Sequence, residues 1–231
     1  MMMNKIPEIN RARGYFVYTA DGKRYLDMAL EGGRLIMGHR QKGYSLALKN
    51  VIDKGILSGY PSPYAYRLKQ AVKALLGKEC YVYLFKSEER AREVLGSDPI
   101  NDPIILVLPV PADFAPGVIV SATELDLADE PVSPVILAGA VRAVYNLKAF
   151  LTERDYSEWE KAGIADACGD RWKVDLPYIY PMCEPDDYPA VWDAFFKEGI
   201  ILSTDYDKPS LLPPSGELSE GMRKKILRLF S

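Results

Sequence analysis

The sequence has few of the residue types on which several common chemistries depend. Its 231 residues include a single histidine, His39, and three widely spaced cysteines with no C-x-x-C pair. This spacing indicates neither a disulfide framework nor a zinc site. No Gly-x-Ser-x-Gly motif is present to hold a nucleophilic serine. We therefore predict no metal centre, and any histidine-dependent catalysis has to use His39.

The sequence also lacks a long apolar run and a large excess of either charge. The longest apolar run, at 104–111, is too short and too rich in proline to cross a bilayer. The opening MMMNKIPEIN lacks the apolar segment of an export signal. With 32 acidic and 29 basic residues the formal net charge is -3, which attracts neither nucleic acid nor an anionic membrane. We expect a cytoplasmic protein that binds neither.

Strand and helix patterns alternate along the chain, which favours mixed α/β layers. Two alternating apolar runs flank Asp21-Gly22 and predict a β-hairpin. A long helix is expected from 133 onward, with Ser133 as its N-cap and Pro134 in its first turn. The segment KVDLPYIYPM is predicted to be a strand.

The stretch YVYLFKSEERAREVLG predicts a buried strand that runs directly into a helix. Such turns often bind phosphate, because free backbone N–H groups and the helix dipole point at them. Here we expect Ser87 to cap the helix and Glu88 and Glu89 to complement its dipole. The acidic loop ATELDLADE could attract a divalent cation, but its spacing fits no Ca²⁺ loop, and we expect a solvated charge run.

Two regions resemble class III aminotransferases, which use pyridoxal phosphate on the fold-type I scaffold. The C-terminal region VWDAFFKEGI to RKKILRLF, with Pro213-Pro214, is similar to the closing segment of their small domain. The opening region RARGYFVYTADGKRYLDMALEGGRLIMGHR is similar to their opening hairpin and its Gly-His, at Ala12, Gly14, Tyr15, Asp21, Gly22, Tyr25, Leu26, Asp27, Gly38 and His39.

The resemblance implies a reduced fold-type I transferase: a small α/β domain plus the remnant of the large mixed-sheet domain. We predict three segments. Residues 1–60 form a hairpin and loop that pack with the C-terminal domain, 61–132 form the remnant, and 133–231 form a connecting helix and the small domain.

The resembled chemistry requires a Schiff-base lysine and a glycine-containing phosphate turn. KSEERARE lies where that turn is expected; Ser87, Ala91 and Glu93 fit, but Glu88 replaces the glycine. No lysine occurs from Ser87 through Leu147, where the Schiff-base residue would lie. We therefore expect no catalytic residue, no cofactor and only a vestigial phosphate turn at Ser87, Glu88 and Glu89.

The sequence thus favours a non-catalytic aminotransferase-like protein that binds a ligand or regulates a partner. A possible cleft would involve His39, Tyr60 and Ser87. A homodimer is expected from the resemblance, and a full-length aminotransferase or a small metabolite are further partners. Two alternatives stay open: an active aminotransferase that binds pyridoxal phosphate with relocated catalytic groups, and an enzyme of unrelated chemistry.

Overall fold

A computed structural model describes residues 2–96 and 102–231, and the chain divides into two units. The terminal unit comprises Met1–Arg40 and Glu153–Ser231, and the central unit comprises Gln41–Thr152. These boundaries differ from those of the three predicted segments, because the long helix from 134 onward falls in the central unit. The three-segment division stays a prediction.

The terminal unit combines two small sheets with helices. The elements of this unit are β1 Ile9–Arg13, β2 Phe16–Thr19, β3 Arg24–Asp27, α5 Ser157–Lys161, α6 Ile164–Cys168, β7 Trp172–Asp175, β8 Tyr178–Pro181, α7 Tyr188–Lys197, β9 Ile200–Ile201, β10 Ser210–Leu211 and α8 Glu220–Phe230. One sheet has the order β1-β2-β3-β9, in which β3 and β9 are parallel, and the other has the antiparallel order β10-β8-β7.

Local sequence signals account for much of this unit. The predicted hairpin is confirmed, since β2 and β3 pair antiparallel around Gly22, whose φ is +83°. KVDLPYIYPM is not one strand but two, because Pro177 lies at the turn where β7 folds back onto β8. Rings from three elements, Trp172, Phe195 and Phe230, pack with centroids 5.0–5.9 Å apart and anchor α7 and α8.

The central unit combines one sheet with helices. Its elements are α1 Tyr44–Ile52, α2 Pro63–Leu76, β4 Tyr81–Phe85, α3 Glu88–Leu95, β5 Ile104–Ile105, β6 Gly117–Ser121 and α4 Pro134–Glu153. The sheet is antiparallel, with the order β4-β6-β5. Both faces of β4 are buried: Val82 and Leu84 pack in the larger core, and Tyr83 and Phe85 pack with α3. The sheet therefore needs helices on both sides.

The long helix α4 is present where it was predicted: it begins at Pro134, directly after Ser133, and the Leu137 N–H donates to the Ser133 carbonyl oxygen. The Ser133 hydroxyl donates to the Leu57 carbonyl oxygen at 2.9 Å, so it ties down a loop of the same unit. By length and composition α4 could cross a membrane. Its inward face nevertheless packs in the core of the central unit through Leu137, Ala140 and Val144.

Candidate functional site

The turn between β4 and α3 is shaped by hydrogen bonds within the protein. Ser87 is extended, and its hydroxyl oxygen accepts the Arg90 N–H at 3.2 Å. The Ala91 N–H donates to the Ser87 carbonyl oxygen at 3.1 Å. The predicted serine cap is confirmed, and two N–H groups of the first helical turn already have acceptors.

A carboxylate from a distant part of the sequence, Glu130, lies across this turn. One of its oxygens accepts the Lys86 N–H at 3.3 Å, and the other accepts from Arg90 Nε at 2.7 Å. Its own N–H donates to the Leu84 carbonyl oxygen at 2.8 Å, which fixes the backbone beside β4. The hydrogen bond from Arg90 lowers the pKa of Glu130 below its usual value. Glu130 is therefore a built-in anion at the turn.

The neighbouring Asp129 also contacts the strand. Its carboxylate accepts the Leu84 N–H at 3.0 Å and forms an ion pair with Lys69 at 2.6 Å. Asp129 stays exposed, as expected of a solvated charge run, and Glu130 is half-buried, but both acids also bond the backbone of β4 and its turn. Among residues 2–96 and 102–231, no three His, Cys, Asp or Glu side chains are grouped to hold a metal ion.

The turn also packs tightly on the sheet. A Cβ built on Gly117 would lie 2.9 Å from Ala91 Cβ and closer still to the Ser87 carbonyl oxygen. Glu88, which replaces the glycine of the resembled turn, is 7% exposed, with Arg92 Nη2 at 3.8 Å from its carboxylate. Only a residue without a side chain at 117 allows the helix to sit this close.

These residues do not fit the phosphate of pyridoxal phosphate. The N–H groups of Lys86 and Arg90 donate to protein oxygens, those of Glu130 and Ser87. A dianion bound to these N–H groups would have to displace the Glu130 carboxylate and the Ser87 hydroxyl from them.

His39 belongs to a different part of the molecule, the loop that ends the N-terminal region of the terminal unit. Its ring nitrogen Nε2 lies 2.9 Å from an Asp27 carboxylate oxygen, and its backbone N–H donates to the Gly14 carbonyl oxygen. The other Asp27 oxygen accepts the N–H groups of Ala29 and Leu30. The Gly-His pair thus closes the loop from 28 to 39 onto the hairpin.

The three residues of the predicted cleft are distributed over both units. His39 lies in the terminal unit, and Tyr60 and Ser87 lie in the central unit. Tyr60 is 73% exposed, whereas Ser87 is engaged in its cap. The cleft stays a prediction.

Glu130 and Asp129 are the residues that sequence reasoning missed. The antiparallel return of β6 brings the chain back beside β4, where Tyr83 Oη bonds the Leu125 backbone. The loop therefore follows the edge of β4 to its turn. Its acid-rich end, a few residues after the apolar run at 118–120, was the available signal.

We expect Glu130→Gln to lower the free energy of unfolding at pH 7 and to remove part of its pH dependence. A folded-state pKa below the unfolded value means that the carboxylate stabilises the fold above the unfolded pKa. This contribution is lost as the pH falls through the lowered folded pKa. Urea unfolding should show that wild type has a higher free energy of unfolding than the variant at pH 7, and that this difference becomes smaller near pH 3. An equal difference at both pH values would contradict the role of the Glu130 carboxylate.

The sequence is similar to other proteins over part or most of its length. No protein-family model matches the sequence. An uncharacterised protein of Borreliella burgdorferi is 25% identical over 239 residues, covering 92% of this chain and 86% of that protein. Glutamate-1-semialdehyde 2,1-aminomutase of Thermus thermophilus is 36% identical over 67 residues, covering 29% of this chain and 16% of the enzyme.

The fold likeness covers almost the whole chain. Ornithine delta-aminotransferase of Plasmodium falciparum aligns with 96% of this chain and 91% of its own, with a TM-score of 0.69 and 12% identity. Acetylornithine aminotransferase of Elizabethkingia anophelis aligns with 96% and 92%, with a TM-score of 0.65 and 15% identity. The chain therefore has the fold of the class III aminotransferases in a shortened form, as the opening and closing motifs predict.

Proposed function

We propose that this chain, which has the aminotransferase fold, is a non-catalytic protein that holds no pyridoxal phosphate and acts by binding a ligand or regulating a partner. The contact of Glu130 with the Lys86 N–H carries the proposal. A working site needs a turn whose backbone N–H groups bind the cofactor phosphate. In this chain a protein carboxylate, that of Glu130, accepts from the turn instead.

The distribution of lysine supports the same proposal. No lysine lies between Lys86 and Lys148. Both of these side chains are solvent-exposed, Lys86 in the turn and Lys148 on α4. A Schiff-base lysine is normally enclosed so that its amine is held against the cofactor and its pKa is lowered. Neither lysine has such an environment.

Cofactor uptake tests the proposal. The purified protein is incubated with equimolar pyridoxal phosphate, reduced with borohydride and digested, and the labelled lysines are identified by mass spectrometry. We expect a colourless protein after desalting, with only sparse labelling spread over exposed lysines, as in a urea-unfolded control. Stoichiometric labelling of one lysine in the folded protein alone would contradict it.

The alternative is an active aminotransferase with relocated catalytic groups. The fold favours it, since the similar structures are of enzymes named as aminotransferases. It predicts that one lysine is labelled selectively and that amino-group transfer to a keto acid is measurable. The same labelling experiment therefore separates the two functions.

We also propose that the protein is a cytoplasmic homodimer. The central unit exposes large apolar side chains that a second copy could cover, at Leu46, Ile52, Leu57, Tyr60 and Tyr66. The three cysteines of the chain are free thiols, in keeping with a reducing compartment. A full-length aminotransferase is a second possible partner for the same surface. Light scattering should give the mass of two chains, and a monomer at all concentrations would contradict the homodimer.

A further inference from the structure

A groove of about 280 Å³ opens between helices α1, α2 and α4 of the central unit. Ala138 and Val141 contribute its apolar surface, and Tyr64 and Tyr145 contribute aromatic rings. Its volume lies near the lower end of the range for small-molecule pockets, enough for a ligand of roughly ten non-hydrogen atoms.

Small residues on α4 shape this groove. A Cβ built on Gly139 would lie 2.9 Å from Leu48 and 3.0 Å from the Tyr44 hydroxyl oxygen, so α1 approaches α4 closely at this point. Ala138 beside it is buried. The backbone of α4 at Gly139 therefore contacts side chains of α1, and the groove lies beside this contact.

One wall carries an arginine whose position is fixed. Arg142 Nε donates to the Lys42 carbonyl oxygen at 2.9 Å, and Asn146 Nδ2 donates to the same oxygen at 3.0 Å. The guanidinium packs over Gly43, where a built Cβ would lie 2.9 Å from Arg142 Nε. This arrangement holds the guanidinium, and within residues 2–96 and 102–231 its terminal amino groups make no hydrogen bond or ion pair. A guanidinium that is already held in place loses little entropy on binding an anion.

A second arginine, Arg67, lines the same groove. Its guanidinium carbon lies 5.3 Å from the centroid of the Tyr64 ring. In the described part of the chain neither Arg67 nor Arg142 has a carboxylate partner, whereas Arg90 pairs with Glu130 and Arg223 with Glu158. The groove thus has two cations beside apolar and aromatic surface and no acid among its lining residues.

We propose that this groove binds a small organic anion, with its carboxylate or phosphate group held by Arg67 and Arg142 and its apolar body against Val141 and the tyrosines. Guanidinium groups bind both kinds of anion through paired hydrogen bonds. The apolar surface excludes a purely inorganic ion as the preferred ligand, because such an ion would leave it unfilled. The proposal is independent of whether the Ser87 turn binds a cofactor.

Amide-resolved NMR titration tests the proposal with benzoate, phenyl phosphate, inorganic phosphate and the neutral benzyl alcohol as probes. We expect benzoate or phenyl phosphate to shift the amides of Ala47, Asn50 and Val141 at millimolar concentrations or below. Inorganic phosphate and benzyl alcohol should bind at least tenfold more weakly. Preference for benzoate over phenyl phosphate, or the reverse, identifies which anionic group the site takes.

Charge-matched variants distinguish this site from general attraction of anions. Arg142→Gln and Arg67→Gln should each weaken binding about tenfold, as expected when a charge-assisted hydrogen-bonding group is removed. Arg13→Gln removes the same charge from an exposed edge strand and should leave binding unchanged. Equal weakening by all three variants would overturn the proposal, as would benzyl alcohol binding as tightly as benzoate. Groove amides that respond to protein concentration but to no probe would show that a second copy covers the groove, and would also overturn it.

Discussion

Replacing Gly117 by alanine should destabilise the central unit by about 3 kcal/mol, a large effect for adding one methyl group. The new Cβ would meet the Ser87 carbonyl and Ala91 Cβ, which belong to the cap of α3. A backbone carbonyl in a capped turn cannot rotate away as a flexible side chain can. The helix start would have to move off β6 and thereby break the contacts of Glu130 with Lys86 and Arg90.

Hydrogen exchange measures this effect where it arises, at the amides of Arg90 and Ala91, and urea unfolding followed by circular dichroism measures its size. Gly221→Ala is the matched control. Among residues 2–96 and 102–231, no atom beyond its chain neighbours and the backbone of α8 lies within 4 Å of a Cβ built at this exposed position, so alanine should stabilise the protein by about 0.5–1 kcal/mol. If both substitutions change the free energy of unfolding equally, the turn does not pack on β6 as closely as described.

Replacing Gly38 by alanine should lower the free energy of unfolding of the terminal unit by at least about 3 kcal/mol, because two effects add. Gly38 has a φ of +70°, which is strained for any residue with a side chain, and a built Cβ would lie 2.5 Å from the Gly14 carbonyl oxygen. That carbonyl accepts the His39 N–H. The glycine of the Gly-His motif is thus required for the loop to close on the hairpin.

All three tryptophans, Trp159, Trp172 and Trp192, lie in the terminal unit, so their fluorescence follows its unfolding in urea. Gly22→Ala provides the control. Its φ of +83° imposes the same kind of strain, but in the described part of the chain no atom beyond its two chain neighbours lies within 4 Å of a built Cβ. The Gly22→Ala substitution should lower the free energy of unfolding by about 1 kcal/mol. A Gly38 variant no less stable than the Gly22 variant would show that the close approach to Gly14 does not constrain the loop.

Sequence reasoning predicts the parts of this fold that depend on local chemistry. The Gly22 hairpin and the Ser87 cap both follow from one or two residues and their backbone preferences. The resemblance to aminotransferases also rests on such local motifs, and the fold comparison confirms it.

What sequence reasoning missed depends on contacts between distant segments. Glu130 reaches the turn at Lys86 across more than forty residues, through an antiparallel pairing whose register no local pattern specifies. The Ser133 hydroxyl, at the predicted start of α4, donates to the Leu57 carbonyl oxygen, a contact that no local pattern indicates. In both cases a polar side chain has a choice of partners, and tertiary structure decides among them.

A crystal structure grown with a large excess of pyridoxal phosphate tests the central claim most directly. The account predicts that the Glu130 carboxylate stays within hydrogen-bonding distance of the Lys86 N–H and that no phosphate density lies at the Ser87 turn. A phosphate group bound to that turn, with Glu130 moved aside and the cofactor joined to a lysine, would contradict it.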